Sequence, residues 1–427
     1  MLSTLPIKKM IQNLSINHRL SSGIFANVLS IGILALCGLM INIILGKCYG
    51  AEGLGLFNLV MALFIVFSQF STFGLHHSIL RYTSEHHNNK EEIKKILSSG
   101  LLLCFLLSIT IAIGAFFSCL FIEKIFKFQH VSEAWLLTIP GVIFFSLNKS
   151  FFAFLNGQNR MVTFAGLTSL RYLGLLTFLI LLIYKSCPLY AVGAAITLSE
   201  LIVCASCFWI VGDKIVWSLN ATKWYKKHWN FGCKSFLGGV SVELNSCVDV
   251  LILSYFTNEV IVGIYSVALF VITGLLQFVV VVRNSLNPLI TQYFYAKEYE
   301  QLEKKISEIC SFFLIGMFCL SLISIVLYYF YINFFFIDNI WSSMYVFLIL
   351  LVGIAFSAYY LPLQFFANQI GNPLHQSYIN LAIFLGNILL NIYLTYEFGL
   401  YGAAIATSLS FILSAYIIRQ YIKTSLK

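Results

Sequence analysis

Apolar residues in this chain gather into long unbroken runs. Neither the every-second-residue alternation of strands nor the one-sided stripe of a soluble helix dominates. Twelve runs, at about 24–45, 55–79, 98–121, 134–156, 161–184, 189–211, 232–255, 260–283, 309–335, 341–366, 375–396 and 400–421, are each long enough to cross a bilayer as a helix. About 20 apolar residues suffice for roughly 30 Å of hydrocarbon. Strands of a membrane barrel would alternate over about ten residues, and only helices and closed barrels satisfy their own backbone in lipid. The expected fold is therefore an all-α polytopic membrane protein of about twelve transmembrane helices, with no connection long enough for a further domain. Residues 1–23, "MLSTLPIKKMIQNLSINHRLSSG", carry basic and periodic apolar positions but no small-residue cleavage site after a short apolar core. They read as a cytosolic interfacial helix.

Charge fixes the expected orientation. Only 10% of the 427 residues are charged, against about 25% in soluble domains, so each charge is informative. Counting spans from an inside N-terminus, 20 lysines and arginines fall on the odd-numbered side, including Lys8, Arg81, Lys94, Lys223, Lys304 and Arg419. The opposite side holds 4, at Lys47, Lys124, Lys127 and Lys185. Short basic loops stay cytoplasmic, which places both termini inside. The net charge of +9 then reports topology and contact with an anionic leaflet and gives no reason to expect nucleic acid.

Several familiar chemistries are disfavoured. Most of the 11 cysteines, among them Cys204 and Cys207, lie inside predicted spans, where they pack as small hydrophobes. The glycosylation triplets at Asn13, Asn148 and Asn220 fall on cytosolic or intramembrane positions. His76 and His77 close one span while His86 and His87 sit in a charged loop, so a shared metal is not expected. Phosphate loop, nucleophile elbow and HExxH patterns are absent, and no cofactor is called for.

The chain repeats itself. GAAI begins at Gly193 and again at Gly402, an offset of 209. "GLFNLVMAL" from Gly55 resembles "GIYSVALFV" from Gly263 at 208, and "EEIKKI" at 91–96 resembles "QLEKKI" at 301–306 at 210. The turn "FLNGQNR" with Asn156 matches "FANQIGNP" with Asn368 at 212. Six spans per half means that both halves enter the membrane from the same side, a parallel repeat about an axis along the membrane normal. The expected organisation is a six-helix lobe over 24–212, a cytoplasmic linker over 213–231, and a second lobe with a short tail over 232–427. Such a duplication suits alternating access to a cavity between the halves; a duplicated channel is the competing reading.

Five ionisable residues lie well inside spans: Lys149, Arg171, Glu200, Glu243 and Asp249. Each is costly against lipid and is expected to face the bundle interior or a watery cavity. Lys149 on span 4 and Arg171 on span 5 fall at similar depth, since each helical residue rises 1.5 Å. Two cations there need an anion, supplied by Glu200, by Glu243 or by a substrate phosphate, which Arg's planar fork suits. Alternatively Lys149 snorkels to the interface and Arg171 pairs structurally with Glu200. On span 7, Glu243 and Asp249 point about 240° apart, so each of them, like Glu200, is a separate candidate for a coupling proton or sodium ion. Glu243 is expected to be the deeper, and Asp249 to be nearer the outer surface. On span 11, Ser377, Asn380, Phe384, Asn387 and Asn391 form one face. Its amides suit either sugar hydroxyls or helix–helix hydrogen bonds.

The glycine-punctuated "LGKCYGAEGLGLFNLVMALF", the "FGLHHSILRYTSE" that ends span 2, the "NGQNR" turn and the two GAAI tetrapeptides resemble polysaccharide transporters of the multidrug/oligosaccharidyl-lipid/polysaccharide (MOP) flippase superfamily. Bacterial O-antigen-unit flippases, the Wzx-like members, are the nearest in appearance, and the resemblance spans essentially the whole chain. It implies two six-helix lobes in a MATE-like arrangement. It further implies translocation of an undecaprenyl-diphosphate-linked oligosaccharide from the inner to the outer leaflet of the cytoplasmic membrane, for O-antigen or related polysaccharide synthesis. A cationic cavity follows, to which Arg171 and Lys149 are suited. Expected partners are membrane lipids, the lipid-linked substrate, and a polysaccharide polymerase with its chain-length machinery. The main rival is a cation or drug antiporter, although the first two spans lack the acidic site such proteins generally show. A glycan polymerase or ligase is disfavoured because the longest outer loop, about 122–133, has no room for an acceptor site, so no enzymatic activity is expected.

Overall fold

The computed structural model describes residues 5–87, 89–216, 222–336 and 341–426, with side chains from Phe25 onward apart from Leu237. The side chains of the expected interfacial segment, and linker residues 217–221, lie outside the described residues. All regular structure among the described residues is helical: α1 (Leu5–Thr72), α2 (Leu75–Glu85), α3 (Lys90–Phe126), α4 (Val131–Gly157), α5 (Met161–Tyr184), α6 (Val192–Val211), α7 (Thr222–Asn245), α8 (Val248–Phe256), α9 (Glu259–Tyr295), α10 (Tyr299–Phe335), α11 (Trp341–Ser357), α12 (Phe366–Gln369) and α13 (Pro373–Ser425), with three short 3₁₀ turns.

Helices occupy all twelve apolar runs, although in the run 341–366 α11 stops at Ser357 and a 3₁₀ turn at Leu361–Leu363 precedes α12; the breaks fall where hydropathy is silent. Within α1 the chain turns at Gly50 (φ 65°, ψ −163°), and within α13 at Gly399 (φ 54°, ψ −125°). Both lie at positive φ, which glycine adopts without a steric penalty. Each of these long helices is therefore two spans in succession. Span 2 does not run on to 79 as one helix. Phe73 (φ 43°) and Gly74 (φ 71°) interrupt it, and α2 starts afresh at Leu75. Span 7 is also broken: Gly238–Asn245 and Val248–Phe256 meet at 54°. Backbone groups inside a membrane are costly to leave unpaired; at this break the Ser246 and Cys247 N–H groups donate to the Glu243 and Leu244 carbonyls at 3.2 and 3.1 Å, and Cys247 and Val248 are buried.

The chain divides by packing into two compact units. The first comprises residues 1–41, 67–116 and 136–235; the second comprises 42–66, 117–135 and 236–427.

In the first unit, Phe151, Phe154 and Leu155 of α4 pack with Cys204 and Cys207 of α6 in one apolar core. The described end of the connection between the two halves of the chain, the start of α7, docks here instead of hanging free. Trp224 is buried and its indole N–H donates to Glu92 Oε2 at 2.7 Å; this bond holds the Glu92 carboxyl below its ordinary pKa. His228 is fully buried, with Nε2 3.1 Å from the Ile96 carbonyl oxygen and Nδ1 2.6 Å from Ser78 Oγ. A carbonyl only accepts, so Nε2 carries the proton and Nδ1 accepts from the serine. Trp229 stacks on Phe73 with centroids 5.3 Å apart.

In the second unit, α9 and α10 pack with α12 and the end of α13 around Leu286, Ile290, Leu302, Phe366 and Ile418. Here the duplication becomes visible as geometry. A Cβ on Gly55 would meet the backbone of Glu259, its Cα at 2.9 Å, and a Cβ on Gly263 would meet the backbone of Ala51, its Cα at 3.2 Å. Adding 208 to 51 and 55 gives 259 and 263, the offset of this segment in the sequence. Residue i touches j′ and j touches i′, the signature of a two-fold contact.

Candidate functional site

In the first unit the polar residues of α4, α5 and α6 converge. Arg171 Nε lies 2.7 Å from Glu200 Oε1, with side chains 16% and 3% exposed. Arg171 Nη2 donates to Oε2 at 3.0 Å. Asn148 Nδ2 donates to the same Oε2 and to the Glu200 backbone oxygen, each at 2.9 Å. The guanidinium also lies over the Phe145 and Phe152 rings, 4.8 and 4.9 Å from their centroids. Lys149, one residue beyond Asn148, donates to Gln69 Oε1 at 3.2 Å and sits 5.9 Å from the Phe145 centroid. Phe145 is thus flanked by both cations. The expectation that Lys149 and Arg171 lie close together holds, and of the anions considered it is Glu200 that meets Arg171. Asn148, Gln69 and Phe145 escaped the sequence reading; an amide adjacent to an intramembrane lysine was the available signal.

The second unit is built differently. Asp249, on the first turn of α8, is 3% exposed. Its Oδ1 accepts from the Val250 backbone N–H at 2.9 Å, and its Oδ2 accepts from Tyr265 Oη at 2.6 Å with Thr407 Oγ1 at 3.5 Å. A carboxylate in a helix's first turn is also favoured by the helix dipole. Glu243 sits before the break and is exposed. Of the two carboxylates Asp249 is thus the buried one, and the 240° separation does not apply because it assumed an unbroken helix. Tyr265, wholly buried in α9, and Thr407 of α13 were missed as carboxylate partners.

The asparagine stripe is buried: Asn380 is 8% exposed, Asn387 3% and Asn391 0%. Asn387 Nδ2 donates to Asn245 Oδ1 at 3.0 Å, tying α13 to α7. Asn391 Nδ2 donates to Asn387 Oδ1 at 2.8 Å, and Gln376 Nε2 to Asn380 Oδ1 at 3.0 Å. The face predicted by spacing exists; of these bonds Asn387–Asn245 joins two helices, and the other two run along α13.

Comparison with known proteins follows this geometry. A family model described as polysaccharide biosynthesis protein matches residues 20–294. No curated protein matches in sequence. Among solved structures, the lipid II flippase MurJ in an inward closed conformation aligns with 93% of this chain and 87% of its own, at 18% identity and a TM-score of 0.78. An inward-facing multidrug resistance MATE family transporter of the MOP superfamily aligns over 92% and 94%, at 14% identity and a TM-score of 0.74. A MOP superfamily transporter from Pyrococcus furiosus aligns over 96% and 94%, at 13% identity and a TM-score of 0.63. With more than half the chain matched, the protein belongs to the polysaccharide biosynthesis protein family; its long apolar helices make it a multi-pass membrane protein, and it shares its fold with the MurJ and MATE structures.

Proposed function

We propose that the protein carries an undecaprenyl-diphosphate-linked oligosaccharide from the inner to the outer leaflet of the cytoplasmic membrane, for O-antigen or related polysaccharide assembly. The lobes over 24–212 and 232–427 rock to give alternating access, and both termini face the cytoplasm. The carrying observation is the cluster around Phe145, where two cations meet in a membrane-embedded unit and Glu200 is engaged with Arg171. Lys149 is the mobile point charge that meets the diphosphate first. Arg171 follows, exchanging part of its bidentate contact with Glu200 for phosphate oxygens. Asn380, Asn387 and Asn391 serve the glycan when the Asn387–Asn245 bond opens. The polymerase and chain-length machinery take up the product on the outer side.

The coupling ion in this reading is H+ or Na+, and burial favours Asp249 over Glu243 as the residue that holds it. An intramembrane carboxylate ringed by hydroxyls is a suitable proton or cation relay. The same feature favours the second reading, a cation antiporter, and the substrate separates them. In proteoliposomes, Asp249→Asn is expected to bind the lipid-linked oligosaccharide yet lose gradient-driven turnover. Normal turnover with unchanged gradient dependence would exclude Asp249. Gradient-driven efflux of organic cations without movement of the lipid would favour the antiporter.

A further inference from the structure

Apart from the polar clusters already described, the second unit holds a cavity of about 250 Å³ between the first turns of α10, the segment that follows α11 and the last turns of α13. Its floor is apolar: Ile306 and Leu363 are buried, and Ile422 and Leu426 pack against the same core. Its rim is polar, with Glu303 and Ser307 from α10, Tyr359 and Tyr360 from the segment after α11, and Arg419 and Lys423 from α13.

Arg419 and Lys423 are four residues apart, so they stand on one face of α13. Both are exposed, and no ion pair among the described residues engages either of them. Basic residues in the last turns suit the helix dipole, which explains cations there but not the tyrosines and the serine ranged round them. Tyr359 and Tyr360 meet edge to face with ring centroids 4.8 Å apart. Tyrosines favour the boundary between hydrocarbon and water, where one end is apolar and the other wet. The position along the spans agrees, since Ile306 precedes the apolar run at 309–335 and Arg419 lies in the last turn of the run at 400–421. The cavity therefore stands at headgroup level.

The first unit has no counterpart. At the offset of 209, Lys423 corresponds to Lys214, which donates to Gln158 Oε1 at 3.1 Å and lies over the Phe154 ring. Arg419 corresponds to Ile210. A face with two unpaired cations thus belongs to the second copy alone.

We propose that this cavity binds the headgroup of a membrane phospholipid. Arg419 and Lys423 hold the phosphodiester, the arginine through its planar fork and the lysine as a point charge. Glu303 accepts from the hydroxyl or ammonium that follows the phosphate, and the lipid's glycerol backbone rests on the apolar floor. A carboxylate beside the phosphate repels a headgroup that lacks such a donor, so phosphatidylglycerol or phosphatidylethanolamine is preferred to phosphatidic acid. The inference depends on neither the proposed substrate nor the coupling ion; it requires only that the chain is embedded in a membrane.

The test uses the full-length protein, purified in detergent and stripped of lipid. Binding of the dioleoyl forms of the three lipids is read by native mass spectrometry and by the rise in melting temperature. Arg419→Gln with Lys423→Gln is expected to weaken phosphatidylglycerol binding about tenfold, through loss of two basic groups beside the phosphate. Lys304→Gln with Lys305→Gln removes the same charge from α10 outside the cavity and is expected to change binding by less than about twofold, because exposed charges at a distance are screened. Glu303→Gln, at an exposed position, is expected to abolish the discrimination against phosphatidic acid. Equal weakening in the two double variants would overturn the site and leave only a general attraction to anionic surfaces. Binding of soluble glycerol phosphate as tight as that of phosphatidylglycerol would overturn the lipid assignment in favour of a free phosphate. Should the Arg419 and Lys423 variant fail to fold, the Glu303→Gln comparison decides alone: unchanged discrimination there overturns the proposal.

Discussion

The two units handle buried polarity in opposite ways. In the first, Arg171 and Glu200 form a nearly enclosed ion pair supported by Asn148, with a second cation, Lys149, beside it. In the second, a carboxylate, Asp249, is held by the hydroxyls of Tyr265 and Thr407, and buried asparagine amides bond one another. The repeat shows how far the copies have parted. At an offset of 209, Arg171 corresponds to Asn380 and Glu200 to Leu409; at 208, Asp249 corresponds to Ile41 and Tyr265 to Phe57. Each half has lost or never acquired what the other uses, while the glycine turns that contact one another across the two-fold remain equivalent. In the function proposed above, this divergence assigns anion handling to the first copy and ion coupling to the second.

The largest effect is expected from splitting the ion pair. Glu200→Gln leaves Arg171 charged, 16% exposed and unpaired, a type of change that costs about 3–5 kcal/mol. Purified Glu200→Gln should therefore unfold at a lower temperature and be present in the membrane at reduced amount. The double substitution Arg171→Met with Glu200→Gln should recover stability but not transport, and Arg171→Lys should retain part of both. If the double variant transports normally, Arg171 is a structural strut and the contrast between the units loses its functional half.

The carboxylate of the second unit comes next. Tyr265→Phe removes one hydrogen bond to a charged group, worth about 1.5–3 kcal/mol, so ion-driven turnover should fall by roughly tenfold or more with substrate binding preserved. Glu243→Gln, at an exposed position, should be milder than Asp249→Asn in the same assay. The reverse order would return the coupling role to Glu243.

The smallest effect at neutral pH concerns the docked start of α7. Burial pushes His228 down to about 4, from an ordinary 6.5. Between those values the undocked form binds more protons than the docked one, so docking is fully stable above pH 6.5 and weakens as pH falls toward 4. The slope approaches about 1.4 kcal/mol per pH unit. Corrected for the intrinsic base-catalysed rate, hydrogen-exchange protection over 222–235 should fall through this window in the wild type and fall less in His228→Gln, where only the Glu92–Trp224 bond still titrates. Equal loss of protection in both down to pH 4.5 would mean that the segment is held independently of His228.

The helical class, the twelve runs and the duplication were legible because long apolar runs have only one backbone solution in lipid. So was the meeting of Arg171 and Lys149, whose equal depth follows from counting residues along two adjacent helices. What escaped were the joints. Phe73–Gly74 and Ser246–Cys247 lie inside the runs at 55–79 and 232–255, and hydropathy averages over the very residues whose dihedrals turn the chain. The consequence reaches the carboxylates: with span 7 treated as straight, Glu243 and Asp249 were set 240° apart on one helix, whereas the two lie on helices meeting at 54° and Asp249 is buried against Tyr265. The asparagine face was visible from its spacing, but its partner Asn245 sits at the end of α7, on another helix, and no periodicity reveals that.

The central claim is that cations of the first unit engage a diphosphate while a carboxylate of the second couples its movement to an ion gradient. The most direct measurement is leaflet exposure of a fluorescent undecaprenyl-diphosphate oligosaccharide in proteoliposomes under an imposed proton or sodium gradient, comparing wild type, Lys149→Gln and Asp249→Asn. The account predicts gradient-dependent translocation in the wild type, weakened substrate binding in Lys149→Gln, and intact binding without gradient response in Asp249→Asn. Equal translocation and equal gradient response in all three would contradict it.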